Sequence, residues 1–347
     1  HLAVDRRGMD GGMNESRITS MDVARAAGVS QSAVSRVFTP GASVSGKMRQ
    51  RVEKAAEELG YSPNFLARSL TTRRTKLIGL ISNNFHNPVF LEVFDRFTRG
   101  LHERDLRPLL VNLTDEIEPE ASIRMLRQYS VDGVSIASST LPPTFAKGFR
   151  DAGMPVVNSF GRHTEKPDVD ILGIDNIAAG RMAARALIER GYRKLAFLGG
   201  PAEATSTLDR EKGFVEQCAL HSDVSVTVSF ADAYSFEAGR AEMIELLKAP
   251  LAQAYFCGDD VLSIGVLSAL KDSNVSVPDD VGLIGFNDME MAGWESIALT
   301  TIHQPIKQII DSSVELMVAM LDDPDRYPEA RLFPCRVVER GTLRARV

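Results

Sequence analysis

An alternation that occurs twice constrains this chain more than any other feature. From Leu77 onward, apolar runs of five to seven residues alternate with stretches of helical periodicity. The first set of runs is LIGLIS (77–82), RPLLVN (107–112), GVSIAS (133–138) and PVVNS (155–159). The second is KLAFLGG (194–200), VTVSF (226–230), AYFCG (254–258) and VGLIGF (281–286). Helical patterns occupy 88–104, 118–129, 142–151, 177–190, 208–220, 236–248 and 260–272. Continuously apolar strands are buried on both faces, which calls for parallel sheets covered by helices on either side. The fold class is therefore α/β, with two such lobes, and Gly173-Ile174-Asp175-Asn176 reads as the crossover between them.

The first 76 residues lack this pattern. Thr19 is placed to cap a short helix, with Asp22 three residues on returning to the free N–H groups. Val23, Ala24 and Ala27 share one face, and Gly28 stops the helix where a corner needs positive φ. Ser30 caps a second helix, Gln31 to Phe38, whose inner face is Val34, Val37 and Phe38. A third runs from Ser45 to Gly60, with Val52, Ala55, Ala56 and Leu59 on one stripe. Two helices crossing at a tight turn over small residues form a helix-turn-helix, and its second helix is the one that enters a DNA major groove.

The segments DVARAAGVSQSAVSRVF and LGYSPNFLARSL sharpen this reading. The chain resembles the lactose-repressor/galactose-repressor family, to which the purine repressor also belongs, from Ile18 to the closing VVERGTL. The resemblance implies a three-helix DNA-binding head, a hinge helix that orders on DNA, and a two-lobed effector domain like periplasmic sugar-binding proteins, with three chain crossings between lobes. It places a minor-groove wedge at Leu70, and such a wedge costs about a few kcal/mol of unstacking, offset by the contacts of a bent duplex. Expected boundaries are 1–16 for a disordered or non-native tail, 17–62 for the head and 63–75 for hinge and linker. The N-terminal lobe is expected at 76–173 with 302–327, the C-terminal lobe at 174–301 with 328–347.

Gln31, Ser32 and Arg36 lie at the start and outer face of the second helix, where arginine reads guanine and glutamine pairs with adenine. The resemblance makes Gln31 and Ser32 the variable readers of base sequence. It matches Thr19, Ser30, Ser35 and Asn64 to phosphate contacts. For Thr19 and Ser30 capping and phosphate binding are compatible, because both use the free N–H groups of a helix start. Ser35 reads equally well as a solvated hydroxyl.

Charge supports a DNA-binding head. The net charge is −6, which by itself argues against nucleic acid. Residues 16–75, however, hold ten basic and four acidic groups, a net +6 that leaves −12 for the rest. A basic head on an acidic body suits DNA binding by the head alone.

Open α/β lobes bind ligands at the carboxyl ends of their strands. On that basis the loop after LIGLIS offers Asn87, and the third strand is followed by Ser138 and Ser139, small hydroxyls near the cleft; the resemblance makes Phe85 and Phe90 pocket-lining aromatics. Asn87 also reads as a helix cap before Pro88, and the phenylalanines as core. The resemblance adds Arg210 from TSTLDREKGF, Tyr234 as a stacking aromatic, Asp259 from FCGDD, and Asn287 and Asp288 from GFNDM. Asp259 stands where the family usually has asparagine, and capping of the next helix is its other reading. Arg162 in NSFGRH is a further candidate, one residue farther from Pro155 than expected. Carboxylates and amides with one or two arginines favour a neutral polyol or sugar over a dianion.

No nucleotide-binding glycine motif, serine elbow or metal spacing is present among six histidines and three cysteines. No cofactor, metal or catalytic residue is expected. No apolar run approaches the ~20 residues of a membrane span, and the N-terminal segment lacks an apolar export stretch, so a cytoplasmic, nucleoid-associated protein is expected. The reading is a ligand-responsive, sequence-specific transcription factor, most often a repressor, acting as a homodimer on a palindromic operator. The alternatives are a sugar-binding sensor without DNA function and an α/β enzyme with a fused DNA-binding head.

Overall fold

The computed structural model describes residues 18–39, 41–63, 74–113 and 119–346. It divides into two units, 1–75 and 76–347. The contacts expected of Asn64 and Leu70, and with them the hinge helix, lie outside the described residues.

In the first unit, α1 (Ser20–Ala27), α2 (Gln31–Val37) and α3 (Gly46–Leu59) form a three-helix bundle. Thr19 and Asp22 make a reciprocal capping box on α1, which satisfies donors that the first turn would otherwise leave unbonded. Gly28 closes α1 at φ +61°. A side chain there would be strained, and its Cβ would stand 3.0 Å from the Arg51 guanidinium, which is itself bonded to the Ala27 and Gly28 carbonyls. Ser30 caps α2 through the amide of Ala33, and Ser45 caps α3 through that of Met48. Val23, Ala24, Ala27, Val34, Val37, Val52, Ala55 and Ala56 form the core. The small residues at 24, 27, 55 and 56 allow the helices to approach closely.

The second unit holds two six-stranded sheets. The first contains β1 (Leu77–Ser82), β2 (Arg107–Asn112), β3 (Gly133–Ala137), β4 (Val156–Ser159), β5 (Asp170–Gly173) and β11 (Ala330–Leu332), in the order β11-β5-β4-β3-β1-β2. All its pairings are parallel. The second contains β6 (Lys194–Gly199), β7 (Ser225–Phe230), β8 (Ala254–Cys257), β9 (Gly282–Asn287), β10 (Thr301–His303) and β12 (Arg336–Val338), in the order β12-β10-β9-β8-β6-β7. Only β12 runs antiparallel, against β10. The helices α4 (Val89–Glu103), α5 (Glu120–Gln128) and α6 (Pro143–Asp151) belong to the first lobe. The helices α7 (Asn176–Ile188), α8 (Thr205–Ala219), α9 (Phe236–Leu246) and α10 (Asp260–Asp272) belong to the second. The long α11 (Ile306–Asp322) returns to pack on α4 and on β3, β4 and β5.

The chain passes between the sheets three times: after β5, after β10, and between β11 and β12. The boundaries differ from those read in the sequence. Residue 302 falls inside β10, which pairs with β9 in the second sheet, so the return begins after His303. Residues 328–332 stay with the first lobe, because β11 pairs with β5. That pairing is held by Asp170, whose buried carboxylate accepts from Arg326 and from the Glu329 amide. These edge strands are three or four residues long, too short to show a periodicity.

In each sheet the first strand, β1 or β6, lies between the next two, so the chain adds one strand on one side of it and the following strand on the other. That order reversal opens a crevice beyond the carboxyl ends of β1 and β3 in one lobe and of β6 and β8 in the other.

Candidate functional site

The loops beyond those strand ends face one another. The loop after β1 supplies Asn84 and Asn87, and the start of α4 supplies Val89, Phe90 and Val93. Ser139 follows β3, and Phe160 follows β4 at φ +65°. From the second lobe come Arg210 on α8, Tyr234 after β7, Asp259 after β8 and Asn287 at the end of β9, with Gln304 on the second crossing. They enclose a cavity of about 30 Å³.

Asp259 organises this cavity. Its Oδ1 accepts from the Val261 amide at 2.7 Å, capping α10. Its Oδ2 accepts from Asn87 Nδ2 at 3.0 Å and from Asn287 Nδ2 at 2.8 Å. Burial pushes the carboxyl pKa upward, opposed by the Asn87 hydrogen bond. Asn87 also has two roles, since its Oδ1 accepts from the Val89 amide at the start of α4.

Arg210 is fully buried and fixed on three sides. Nε donates to Asn176 Oδ1 at 2.8 Å, Nη1 donates to the Gly258 carbonyl at 2.6 Å, and the guanidinium lies 3.6 Å over the Phe286 ring. Burial lowers its pKa, opposed by Tyr234 and Asp259. Two glycines determine how α8 reaches this position. A Cβ at Gly213 would stand 1.9 Å from the Ile177 carbonyl, and one at Gly180 would stand 2.1 Å from that of Arg210. Only bare backbone lets α7 and α8 cross this closely. Tyr234 shares a hydrogen bond with Thr207 at 2.6 Å, and its ring lies where a side chain on Gly200 would be.

The cavity thus gathers Asn87, Phe90, Arg210, Tyr234, Asp259 and Asn287 of the residues singled out in the sequence. Four others are placed elsewhere. Phe85 stacks on Phe94 at 4.6 Å. Ser138 donates to Asn83 Oδ1 at 2.8 Å, and its neighbour Ser139 lines the cavity instead. Arg162 is nearly half exposed and pairs across the lobes with Asp209. Asp288 is held by Arg340 at 2.6 Å and by His303 at 2.9 Å, tying together the ends of β9, β10 and β12. Ser139 follows Ser138 in the pair of small hydroxyls that the sequence places near the cleft, whereas sequence reading missed Asn84, Val89, Val93, Phe160 and Gln304. Gln304 was hidden because β10 was not recognised, although Gln304-Pro305 directly follows the strand.

In the head, Thr19, Ser30, Gln31, Ser32, Ser35 and Arg36 are all exposed, whereas Val34 and Val37 are buried. Gln31 Nε2 donates to Ser20 Oγ at 2.9 Å, and the Ser30 and Ser32 hydroxyls are 2.9 Å apart. The polar face of α2 therefore points away from the bundle.

A helix-turn-helix head followed by two facing α/β lobes defines a DNA-binding regulator with a ligand-binding domain. Known proteins agree. Residues 19–64 match the model of bacterial regulatory proteins of the lacI family, and residues 184–343 match the periplasmic binding protein-like domain. The HTH-type transcriptional repressor PurR of Vibrio atlanticus (strain LGP32) is 30% identical over 94% of this chain and 98% of its own. The ribose operon repressor of Escherichia coli (strain K12) is 30% identical over 93% and 99%. The structure of a complex of the transcriptional regulator CelR with cellobiose superposes with a TM-score of 0.70 at 29% identity, over 94% of this chain and 100% of that one. The chain belongs to the lacI family of bacterial regulatory proteins. Its relatives are transcriptional regulators, and no helix among the described residues is long and apolar enough to cross a membrane.

Proposed function

We propose that the chain is a homodimeric repressor that reads a palindromic operator and is controlled by a neutral, hydroxylated effector in the cleft. The observation that carries the effector class is the charge balance of the cavity. Among its lining residues, one carboxylate (Asp259) stands with one guanidinium (Arg210), beside five neutral polar side chains on Asn84, Asn87, Ser139, Asn287 and Gln304. A net charge on the ligand would find no compensation there, and a buried charge without a partner is costly. Hydroxyls both donate and accept, so they suit Asp259 and Arg210 equally. A ribose operon repressor and a cellobiose-bound regulator among the similar proteins support a sugar.

Phe90, Asn87, Tyr234, Arg210, Asp259 and Asn287 are the proposed effector contacts. Gln31, Ser32 and Arg36 are the proposed base readers, with Thr19, Ser30, Ser35 and Asn64 on phosphates and Leu70 in the minor groove. One head covers half an operator, and paired heads related by a twofold axis match an inverted repeat. The effector acts through its different affinity for two arrangements of the lobes. The Asn87–Asp259 bond joins those lobes, and an inserted hydroxyl competes for it.

Isothermal titration against a panel of sugars and a panel of sugar phosphates and dicarboxylates tests the effector class. The account predicts binding in the first panel. Binding confined to the acids contradicts it.

A further inference from the structure

Two cavities lie side by side where the chain crosses from β10 to α11, and they share a wall. The inner one is the 30 Å³ cavity around Asp259. The outer one, about 340 Å³, lies between α4 and the start of α11, lined by Glu92, Arg96, Asp288, His303 and Lys307 among others. Asn287 and Gln304 line both. Their side chains are joined, Gln304 Nε2 donating to Asn287 Oδ1 at 3.2 Å, and both residues are more than nine-tenths buried.

The two halves of this wall differ in how their side chains are tethered. Asn287 is tethered on its inner side to Asp259 and has φ +111°, followed by Asp288 at φ +62°. Non-glycine residues stay in such conformations only where their surroundings hold them, and they cluster at functional sites. Gln304 is the longer, more flexible side chain and reaches Asn287 from the crossing segment. Small-molecule sites typically enclose ~300–1,000 Å³. The inner cavity is far below that range, and the outer chamber alone reaches it.

We infer that Gln304 is a side-chain partition that swings aside to join the two spaces, and that it determines how long an effector the protein accepts. This rests on the cleft being the effector site. The effector is then a two-part polar molecule, with one hydroxylated ring among Asn87, Arg210 and Asp259 and a second in the outer chamber. That chamber carries both signs of charge, with Glu92 paired to Arg96 at 2.8 Å and Lys307 nearby, and Asp288 is hydrogen-bonded to His303 at 2.9 Å. Carboxylates, cationic groups and side-chain amides set side by side offer acceptors and donors to hydroxyls. A disaccharide has this chemistry.

Two measurements on the full chain test it. Val93 lines the inner cavity and is 1% exposed. The thiol introduced by Val93→Cys is reacted with iodoacetamide, and peptide mapping separates it from Cys218, Cys257 and Cys335. Adding Gln304→Ala is expected to raise its rate at least tenfold; Gln304→Asn serves as a second variant if the first folds poorly. Equal rates overturn the partition, because access would then come from the lobes parting. Thermal shifts with glucose against cellobiose and galactose against lactose provide the second readout. The ratio of half-saturating concentrations within a pair is expected to change at least fivefold in Gln304→Ala. An unchanged ratio, or a wild-type protein stabilised by none of the four sugars, overturns the two-part ligand. Stabilisation by acids alone removes the neutral-effector reading instead, and the labelling rates still decide the partition.

Discussion

Asn87 and Asp259, 172 positions apart, meet across the cleft through a single buried hydrogen bond of 3.0 Å. Asp259 is also the N-cap of α10, and Asn87 Oδ1 accepts from the Val89 amide at the start of α4, where the N-cap position is Pro88 rather than the Asn87 read in the sequence. The same side chains that bond to the helix starts therefore join the lobes.

Replacing Asn87 by alanine removes one of two amide donors from Asp259 Oδ2 and an acceptor from the Val89 amide. Hydrogen bonds to charged groups contribute about 1.5–3 kcal/mol. Calorimetry on Asn87→Ala is expected to show effector affinity reduced by about one order of magnitude or more, with operator affinity in the absence of effector retained. Unchanged effector affinity would remove Asn87 from the site.

Arg210 is the one buried guanidinium of the cavity, and its partners fix its plane. Arg210→Ala leaves Asn176 Oδ1 and the Gly258 carbonyl without their donor, a mechanism that typically costs about 2–4 kcal/mol. Arg210→Lys keeps the charge but loses the planar fork. Both variants are expected to lose the effector response while still binding operator below their lowered melting temperatures. Anisotropy titrations with and without effector check this, and a preserved response in Arg210→Lys would refute it.

Arg36 is exposed on α2 and lies outside the head's core. Arg36→Ala is expected to leave the melting temperature unchanged and to weaken operator binding by about 1–3 kcal/mol per contact, with relaxed preference at one base pair of each half-site. A uniform loss across all sequences, with a shallower salt slope, would make Arg36 a phosphate contact instead.

Asp260 follows Asp259 but faces the second lobe's core, where Thr301 and the Met289 amide donate to it. Burial pushes its pKa up to about 8 in spite of those donors. The folded state then holds a proton that the unfolded chain, titrating near ~3.9, has released. Stability from this group is complete below about pH 4 and falls as pH rises toward 8, because the folded state binds more protons across that window. Asp260→Asn, with its amide turned to the Thr301 hydroxyl, is expected to flatten that slope. Urea denaturation at pH 5.5 and 8 reads it, and parallel curves for both proteins would contradict the assignment.

The sequence made most of the architecture legible because its signals were local and redundant. Capping at Thr19 and Ser30, the corner at Gly28 and the eight apolar runs each use a few adjacent residues. What it left obscure depends on partners far away in the chain. Strands β5 and β10–β12 are three or four residues long, and pairings such as that of β11 with β5, 159 residues apart at the Glu329–Asp170 bond, define them. Asp288 and Arg162 looked like free polar groups near strand ends. Their ion partners, Arg340 and Asp209, lie 52 and 47 positions away. Phe85 had an aromatic neighbour on α4 that no spacing rule indicates. Gln304 was missed for the same reason as β10, since a strand end must be known before the residue beyond it can be assigned to the crevice.

On the proposed function, a basic head grips DNA specifically when two copies are paired, and a ligand in the cleft alters the grip. Fluorescence anisotropy of the 347-residue chain tests this. Inverted-repeat duplexes selected from a random library are titrated against scrambled DNA at fixed salt, with and without the sugar that most raises the melting temperature. The account predicts a preference of about 10³-fold or more for one inverted repeat, changed at least several-fold by the sugar. Equal affinity for every duplex in both states would contradict it.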